Sequence, residues 1–216
     1  NGRVMGIFRS TIFEGMRKSV GNVTTYMDGD RQVVRGKVAF RKDRGSEAQL
    51  RQRGRMRVTR DAWLYFSRIG AECFCTASGR TAWNRFVKAN IMGETAGRGL
   101  EHAADWLGVL VADGPLAVPV MSAEIDGERR EVTFRWRRQP DRPGCVGTDR
   151  LYGVIADLGK WGSVLVDLGT RGSDGEKTVA LPKSAPGKWL AVYGFAKNAA
   201  GTRTSESVGL AWREEG

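Results

Sequence analysis

The chain has 216 residues, of which 41% are hydrophobic, and its formal net charge is +11. This apolar content excludes a wholly disordered chain, and the length allows one large domain or two small ones. No apolar run reaches the roughly 18 residues that a membrane-spanning helix needs. The positive charge is uneven, because residues 1–114 hold 20 Lys or Arg against 11 Asp or Glu, whereas residues 115–216 hold 15 against 13. We therefore expect the first half of the chain to meet an anionic partner or to present a strongly solvated face.

A β-hairpin is predicted over residues 19–38. Residues that favour strands at 22–26 precede the turn sequence Asp28-Gly29-Asp30, and a second such run returns from Arg31. Alternation along the second strand predicts one unusually basic face, made of Arg31, Val33, Arg35 and Lys37.

A helix is predicted to begin after Ser46, because Ser46 and Gln49 have capping-box spacing. Apolar or small residues then recur at helical intervals and predict its inward face: Leu50, Gly54, Val58, Ala62, Tyr65 and Ile69. Arg53, Arg57 and Arg60 fall on the roughly opposite side, and Arg51 and Arg55 flank the inward face. A second helix is predicted over residues 79–91 with Ser78 as its cap. Its inward set is either Ala82, Phe86 and Ile91 or Trp83, Val87 and Asn90.

In the rest of the chain, strand-forming segments alternate with turn sequences, as in an antiparallel β-sheet protein. A glycine-rich loop at 93–105 is followed by a predicted strand at 106–112. Seven further strands are predicted at 117–124, 130–137, 150–157, 162–168, 176–181, 188–197 and 203–212, separated by turn sequences. Strands of this length and spacing are typical of an immunoglobulin-like or fibronectin-type sandwich.

These elements predict a mainly β chain with helices, of the α+β class. We expect two domains: a basic hairpin–helix region at 1–114 and a β-sandwich at 115–216. The sandwich is expected to fold on its own.

Several segments resemble an uncharacterised Bacteroidota family. The opening from Gly15 to Arg35 is similar to the family's short "GKVGN-V" segment and hairpin. Residues 44–56 are similar to its "NPRT-x-AQ-x-x-QR-x-x-F" segment, although Asp43-Arg44-Gly45 replaces Asn-Pro and Met56 replaces the aromatic residue. Residues 81–90 resemble its "AYN-x-FV-x-x-N" helix, and residues 131–136 and 192–195 resemble its sandwich. The resemblance implies no known activity, but similar openings in phage and prophage proteins associate the chain with a virion or mobile element.

No catalytic site, metal site or cofactor is predicted. The single histidine, His102, lies in the glycine-rich loop without a nucleophile motif nearby, and no Gly-x-Ser-x-Gly or P-loop sequence occurs. Asp28 and Asp30 are explained by the hairpin turn rather than by calcium. Three cysteines, Cys73, Cys75 and Cys145, match no familiar zinc spacing and are expected to be buried free thiols.

The positive signal is a basic block at residues 35–60, with ten basic residues and two acidic ones. Eight of the ten are arginines, which suit phosphate through their bidentate geometry. The block consists of Arg35, Lys37, Arg41, Lys42, Arg44, Arg51, Arg53, Arg55, Arg57 and Arg60. No base-reading motif accompanies it. Tyr26 and Phe40 could stack on bases, but core packing is the expectation for both.

We therefore expect a non-enzymatic structural or assembly protein, particle-associated and of phage or prophage type, with a basic docking surface. A sequence-nonspecific nucleic-acid-binding protein is the alternative, and a cell-surface sandwich that binds glycan or protein is a third. The expected partners are nucleic acid, through its backbone, or an acidic protein surface, within a homo- or hetero-oligomeric assembly. With no secretory signal visible, we expect a cytoplasmic or virion-associated location.

Overall fold

The computed structural model describes residues 5–7, 18–28, 30–37, 45–76, 79–93, 100, 103–159, 162–181 and 189–214. The predicted fold class is confirmed, since the chain is mainly β with a few helices. It divides into two compact units, Asn1–Gly45 and Ser46–Gly216. No helix of the described residues has the length and hydrophobicity needed to cross a membrane.

The first unit contains an antiparallel sheet of four strands in the order β1-β4-β3-β2. These are β1 (Met5–Ile7), β2 (Lys18–Val20), β3 (Val23–Asp28) and β4 (Arg31–Gly36). The predicted hairpin is confirmed, because β3 and β4 pair with Asp28 opposite Arg31.

The predicted basic face of β4 is less uniform than its alternation suggests. Val33 is buried and Arg35 is half-buried, whereas Arg31 and Lys37 are exposed. Tyr26, paired with Val33, was expected in the core but is 41% exposed.

The second unit contains two antiparallel sheets, with strand orders β11-β10-β7-β8 and β5-β6-β9. The strands are β5 (Met121–Asp126), β6 (Glu131–Trp136), β7 (Arg150–Asp157), β8 (Gly162–Thr170), β9 (Gly175–Ala180), β10 (Trp189–Lys197) and β11 (Val208–Glu214). They correspond one by one to the seven strands predicted after residue 115.

The described residues of the same unit form four helices: α1 (Glu47–Phe66), α2 (Gly70–Cys73), α3 (Gly79–Asn90) and α4 (Ala103–Leu107). The capping box at the start of α1 is confirmed. The Ser46 backbone N–H donates to Gln49 Oε1 at 3.1 Å, and the Gln49 N–H donates to Ser46 Oγ at 3.4 Å. The buried residues of α3 are Ala82, Phe86 and Asn90, which mixes the two predicted inward sets. The predicted cap Ser78 lies outside the described residues.

The four-stranded sheet of the second unit is buried on both faces. Alternate residues of β10, such as Leu190 and Val192, pack with Phe134 of β6 in the core between the two sheets. The intervening residues, such as Tyr193 and Phe195, pack against the helices in a second core.

The division of the structure therefore differs from the predicted boundary at residue 114. The helices after Ser46 cover one face of the sheet, and removing them would expose its apolar side chains to water. The sequence pattern that reflects this arrangement is the continuous apolar run of β10, which is typical of a strand buried on both faces.

The strand predicted at 106–112 is wrong. The segment begins inside α4 and continues without a strand partner. Its backbone is satisfied by two side chains instead. The Leu110 N–H donates to Asn90 Oδ1 at 2.8 Å, and the Val111 N–H donates to Ser207 Oγ at 2.9 Å. Buried backbone groups need partners, and polar side chains from α3 and the chain before β11 supply them here.

The inward face predicted for α1 is confirmed only near its end, where Ala62 and Ile69 are buried and Tyr65 packs against the core. The buried residues of α1 are Thr59, Ala62 and Phe66, whereas Leu50 is 56% exposed. Burial is confined to the second half of the helix, where Phe66 contacts Tyr193 of β10 with ring centroids 5.6 Å apart. Thr59 can be buried because its hydroxyl donates to the Arg55 carbonyl at 2.9 Å.

Candidate nucleic-acid interface

The predicted basic block is divided between the two units. Arg35 and Lys37 belong to the first unit, and Arg41, Lys42 and Arg44 lie outside the described residues. The other five arginines, Arg51, Arg53, Arg55, Arg57 and Arg60, all lie on α1. The structure thus brings half of the predicted residues together on one helix.

The first half of α1 is almost entirely exposed. From Glu47 to Arg57 every residue is exposed except Arg55, which is half-buried. Residues advance by about 100° around a helix, so Arg53, Arg57 and Arg60 project on the side opposite the buried Thr59 and Phe66. All three are exposed, as their spacing predicted. We call these three residues the arginine face.

Ion pairs within α1 involve some of its arginines. Arg60 contacts Asp61 at 2.7 Å, and Arg51 contacts Glu47 at 3.1 Å, both at exposed positions. Exposed pairs of this kind contribute only about 0–1 kcal/mol, so these arginines can exchange their carboxylate for a phosphate. Arg57 makes no ion pair with any described residue.

Arg55, which was predicted as a binding residue, is half-buried, unlike the other four arginines of the block on α1. It lies one turn before the buried Thr59, and its Nε atom is buried without a hydrogen-bond partner in the described part of the chain. One terminal nitrogen donates to the Met92 sulfur at 3.8 Å. Its contact with Met92 joins α1 to the segment after α3.

A second basic surface lies on α3, outside the block predicted from the sequence. Arg80, Arg85 and Lys88 are exposed, and the helix contains no acidic residue. Arg85 donates to the Phe74 carbonyl at 2.7 Å and is therefore partly engaged. The predicted helix at 79–91 already contained this signal, but these residues fall outside the 35–60 block.

The helical segment carries most of the positive charge of the second unit. Residues 46–93 contain nine basic and three acidic residues, whereas residues 103–214 contain 15 and 14. An anion is thus attracted to the helices more than to the strands.

The main cluster of reactive groups lies at the end of α2. Lys197 of β10 donates to Glu72 at 2.7 Å. Burial lowers the pKa of Lys197, but the hydrogen bond that Lys197 donates to Glu72 and the nearby acidic groups outweigh this effect, so the pKa is raised overall. Burial raises the pKa of both Cys73 and Cys75, despite the attraction of Lys197. Both thiols therefore stay protonated at neutral pH, which suits packing better than nucleophilic chemistry.

The three cysteines are free, and Cys73 and Cys145 are buried as expected, whereas Cys75 is half-buried. Within the described residues no group of three or more His, Cys, Asp or Glu could hold a metal ion. His102 lies outside that part of the chain.

A buried ion pair, Arg171 with Asp149, joins the loops at one end of the sandwich. A terminal nitrogen of Arg171 lies 3.6 Å from an Asp149 carboxylate oxygen, and the other donates to the Ala117 carbonyl at 2.5 Å. The Arg171 backbone N–H also donates to the Asp149 carbonyl at 2.8 Å. Because Arg171 is fully buried, this pair connects three segments of backbone and is not a surface for a partner.

No family model, curated protein or solved structure matches this chain.

Proposed function

We propose that this chain is a non-enzymatic structural or assembly protein that attaches to nucleic acid through the arginine face of α1. The observation that carries the proposal is the exposed first half of α1, where Arg53, Arg57 and Arg60 project away from the core. A helix that leaves half its length unburied gains little stability from packing there. Arg53, Arg57 and Arg60 are exposed to solvent, and arginine binds phosphate in two-point contacts.

The proposed contacts are to the backbone of the nucleic acid. Charge and helical spacing are the only features that identify the arginine face as a binding surface. Its affinity for nucleic acid should therefore depend on salt and not on base sequence. Each arginine that neutralises a phosphate releases counterions, and the logarithm of the binding constant falls by about 0.9 per contact for each unit of log salt on duplex DNA.

The test replaces Arg53, Arg57 and Arg60 with Gln and measures binding of labelled duplexes between about 50 and 200 mM salt. We expect weaker binding on unrelated sequences and a salt slope reduced by about 2.7. The matched control is Arg129→Gln, Arg137→Gln and Arg138→Gln, which removes the same charge from exposed positions around β6. If the control variant loses as much affinity as the arginine-face variant, net charge alone attracts DNA and the assigned face is wrong.

A second candidate is docking on an acidic protein surface. Leu50 is 56% exposed and Leu64 is 43% exposed, and both project on the same side of α1 as Arg57. Protein interfaces are enriched in arginine, and exposed leucines among arginines fit such a surface. This candidate predicts that the protein at micromolar concentration does not retard DNA or RNA in a gel-shift assay. It also predicts a stable complex or oligomer that Leu50→Glu disrupts, measured by light scattering after size-exclusion chromatography.

A further inference from the structure

Two tryptophans meet where α1 and α3 pack together. Trp63 of α1 and Trp83 of α3 have ring centroids 5.8 Å apart with planes tilted by 56°. The helices run antiparallel, because Arg55 contacts Met92 after the end of α3 whereas Trp63 contacts Trp83 near its start. We call this line of contact the α1–α3 seam.

Both indoles of the seam are half-buried, so part of each ring remains accessible. The deep sides of the rings rest on a rigid base. Trp63 lies 5.2 Å from the buried Phe86, and it covers Gly70 so closely that a Cβ atom at Gly70 would overlap the ring. Trp63 is thus held in place before any ligand arrives, and Trp83 packs against it, which lowers the entropic cost of stacking on the pair.

Each indole has an exposed arginine one turn earlier on its own helix. Arg60 precedes Trp63 by three residues, and Arg80 precedes Trp83 by three. Residues three apart are neighbours on a helix surface. Because the helices are antiparallel, the two arginines extend toward opposite ends of the indole pair. The resulting order along the seam is arginine, indole, indole, arginine.

No strong ion pair among the described residues prevents Arg60 or Arg80 from contacting a ligand. Arg60 pairs with Asp61, and both side chains are more than 40% exposed, so the pair is screened by solvent. Arg80 makes no ion pair with a described residue. Lys88, exposed two turns after Arg80, extends the positive charge along α3.

We infer that the α1–α3 seam binds single-stranded nucleic acid, with bases stacked on Trp83 and Trp63 and phosphates contacted by Arg60 and Arg80. This inference rests on the proposed function and specifies the form of its ligand. Stacking needs an unpaired base whose flat face is free, and a duplex hides those faces. An indole with adjacent cations fits a single strand of either DNA or RNA, whereas the arginine face alone would accept a duplex equally well.

The test measures the affinities of a short oligo-dT strand, a matching oligo-U strand and a duplex of the same length. The Trp83→Leu variant should bind both single strands about tenfold more weakly and should bind the duplex within about a factor of two of the unmodified protein. Trp83→Phe keeps an aromatic face and should retain most of the single-strand affinity. Arg80→Gln should reduce the salt slope on single strands by about 0.7. The control is Trp189→Leu, because Trp189 is 47% exposed on β10 and lies outside the seam.

Four outcomes overturn the inference. If the unmodified protein binds the duplex as tightly as the single strands, or if Trp83→Leu weakens both equally, the seam does not recognise unpaired bases, although the proposed function stands. If Trp83→Leu lowers the melting temperature, its loss of affinity could reflect unfolding, and the single-strand affinities of Trp83→Phe and Arg80→Gln are used instead. Unchanged single-strand binding in Arg80→Gln then overturns the inference. If the unmodified protein binds no nucleic acid, the proposed function fails as well.

Discussion

Replacing Phe66 with Ala tests whether the helices and the strands form one cooperative unit. Phe66 is 1% exposed, and it lies between Tyr193 of β10, at 5.6 Å, and Phe86 of α3, at 6.2 Å. Removing a buried phenylalanine side chain typically costs about 3–5 kcal/mol. Domains are commonly stable by only about 5–15 kcal/mol, so this loss is a large share of the total.

The measurement is guanidinium unfolding of the full chain, followed by tryptophan fluorescence and by far-ultraviolet circular dichroism. With a denaturant slope of roughly 2–6 kcal/mol/M, the Phe66→Ala transition should move down by about 1 M in both signals together. A coincident shift is expected because Phe66 belongs to the core that also contains Val154, Ala191 and Phe195 of the sheet.

The matched control is Leu64→Ala on the same helix, where the side chain is 43% exposed. It should cost about 1 kcal/mol or less, because most of what it removes already faces water. Loss of the helical signal in Phe66→Ala, with an unchanged unfolding midpoint of the strands, would contradict a single cooperative unit. In that case the helices fold as a separate body and the boundary predicted at residue 114 would be the better description.

Other predictions follow from the same architecture. Contrary to the expectation from the sequence that the sandwich folds on its own, the fragment 115–216 should show no cooperative unfolding and should bind a hydrophobic dye, since the sheet face that the helices cover becomes exposed. Ser207→Ala should destabilise the chain by about 1–3 kcal/mol in thermal unfolding, because the buried Val111 N–H loses its acceptor. Cys73 should resist a thiol reagent at pH 8 until the protein is unfolded, since its pKa is raised by burial. Stability should also fall at alkaline pH. Above the ordinary thiol pKa of 9.0 the unfolded chain loses the Cys73 proton while the folded chain keeps it. The free energy of unfolding should then drop by about 1.4 kcal/mol per pH unit for this group, and Cys73→Ala should remove that contribution.

Each of these predictions has a contrary result. A single sharp melting transition in fragment 115–216 would show that the sheet does not need its helix layer. A Ser207→Ala variant as stable as the parent would mean that another acceptor reaches Val111. Equal alkaline slopes with and without Cys73 would show that the thiol is not protected in the folded state.

Several features were readable from local sequence because their causes are local. The capping box at Ser46 depends on residues three apart, and the β3–β4 hairpin depends on its turn at Asp28–Asp30. The strands β6 and β7 were located to within about a residue, because alternation or a short apolar run bounded by turn residues suffices to place them. The arginine face was also predicted, since helical spacing alone determines which residues share a side.

Other features were decided only when distant segments met. The apolar pattern of α1 predicted an inward face that begins at Leu50, whereas the contact of Phe66 with Tyr193 buries a face that includes Thr59. The segment at 106–112 has the composition of a strand, but Asn90 and Ser207 supply its hydrogen bonds in place of a neighbouring strand. Local periodicity cannot show which face finds a partner, because burial is determined by the surfaces that pack against it.

The candidate interface likewise has one part that local sequence predicts and one part that only tertiary packing creates. Charge and spacing placed Arg53, Arg57 and Arg60 on one side of α1 without any knowledge of the fold. The α1–α3 seam joins Trp63 and Trp83, which are 20 residues apart in the chain and approach only because α1 and α3 pack antiparallel on the sheet. A row of neighbours along one helix is set by the geometry of the helix itself, whereas a site between two helices exists only after the hydrophobic core has brought them together.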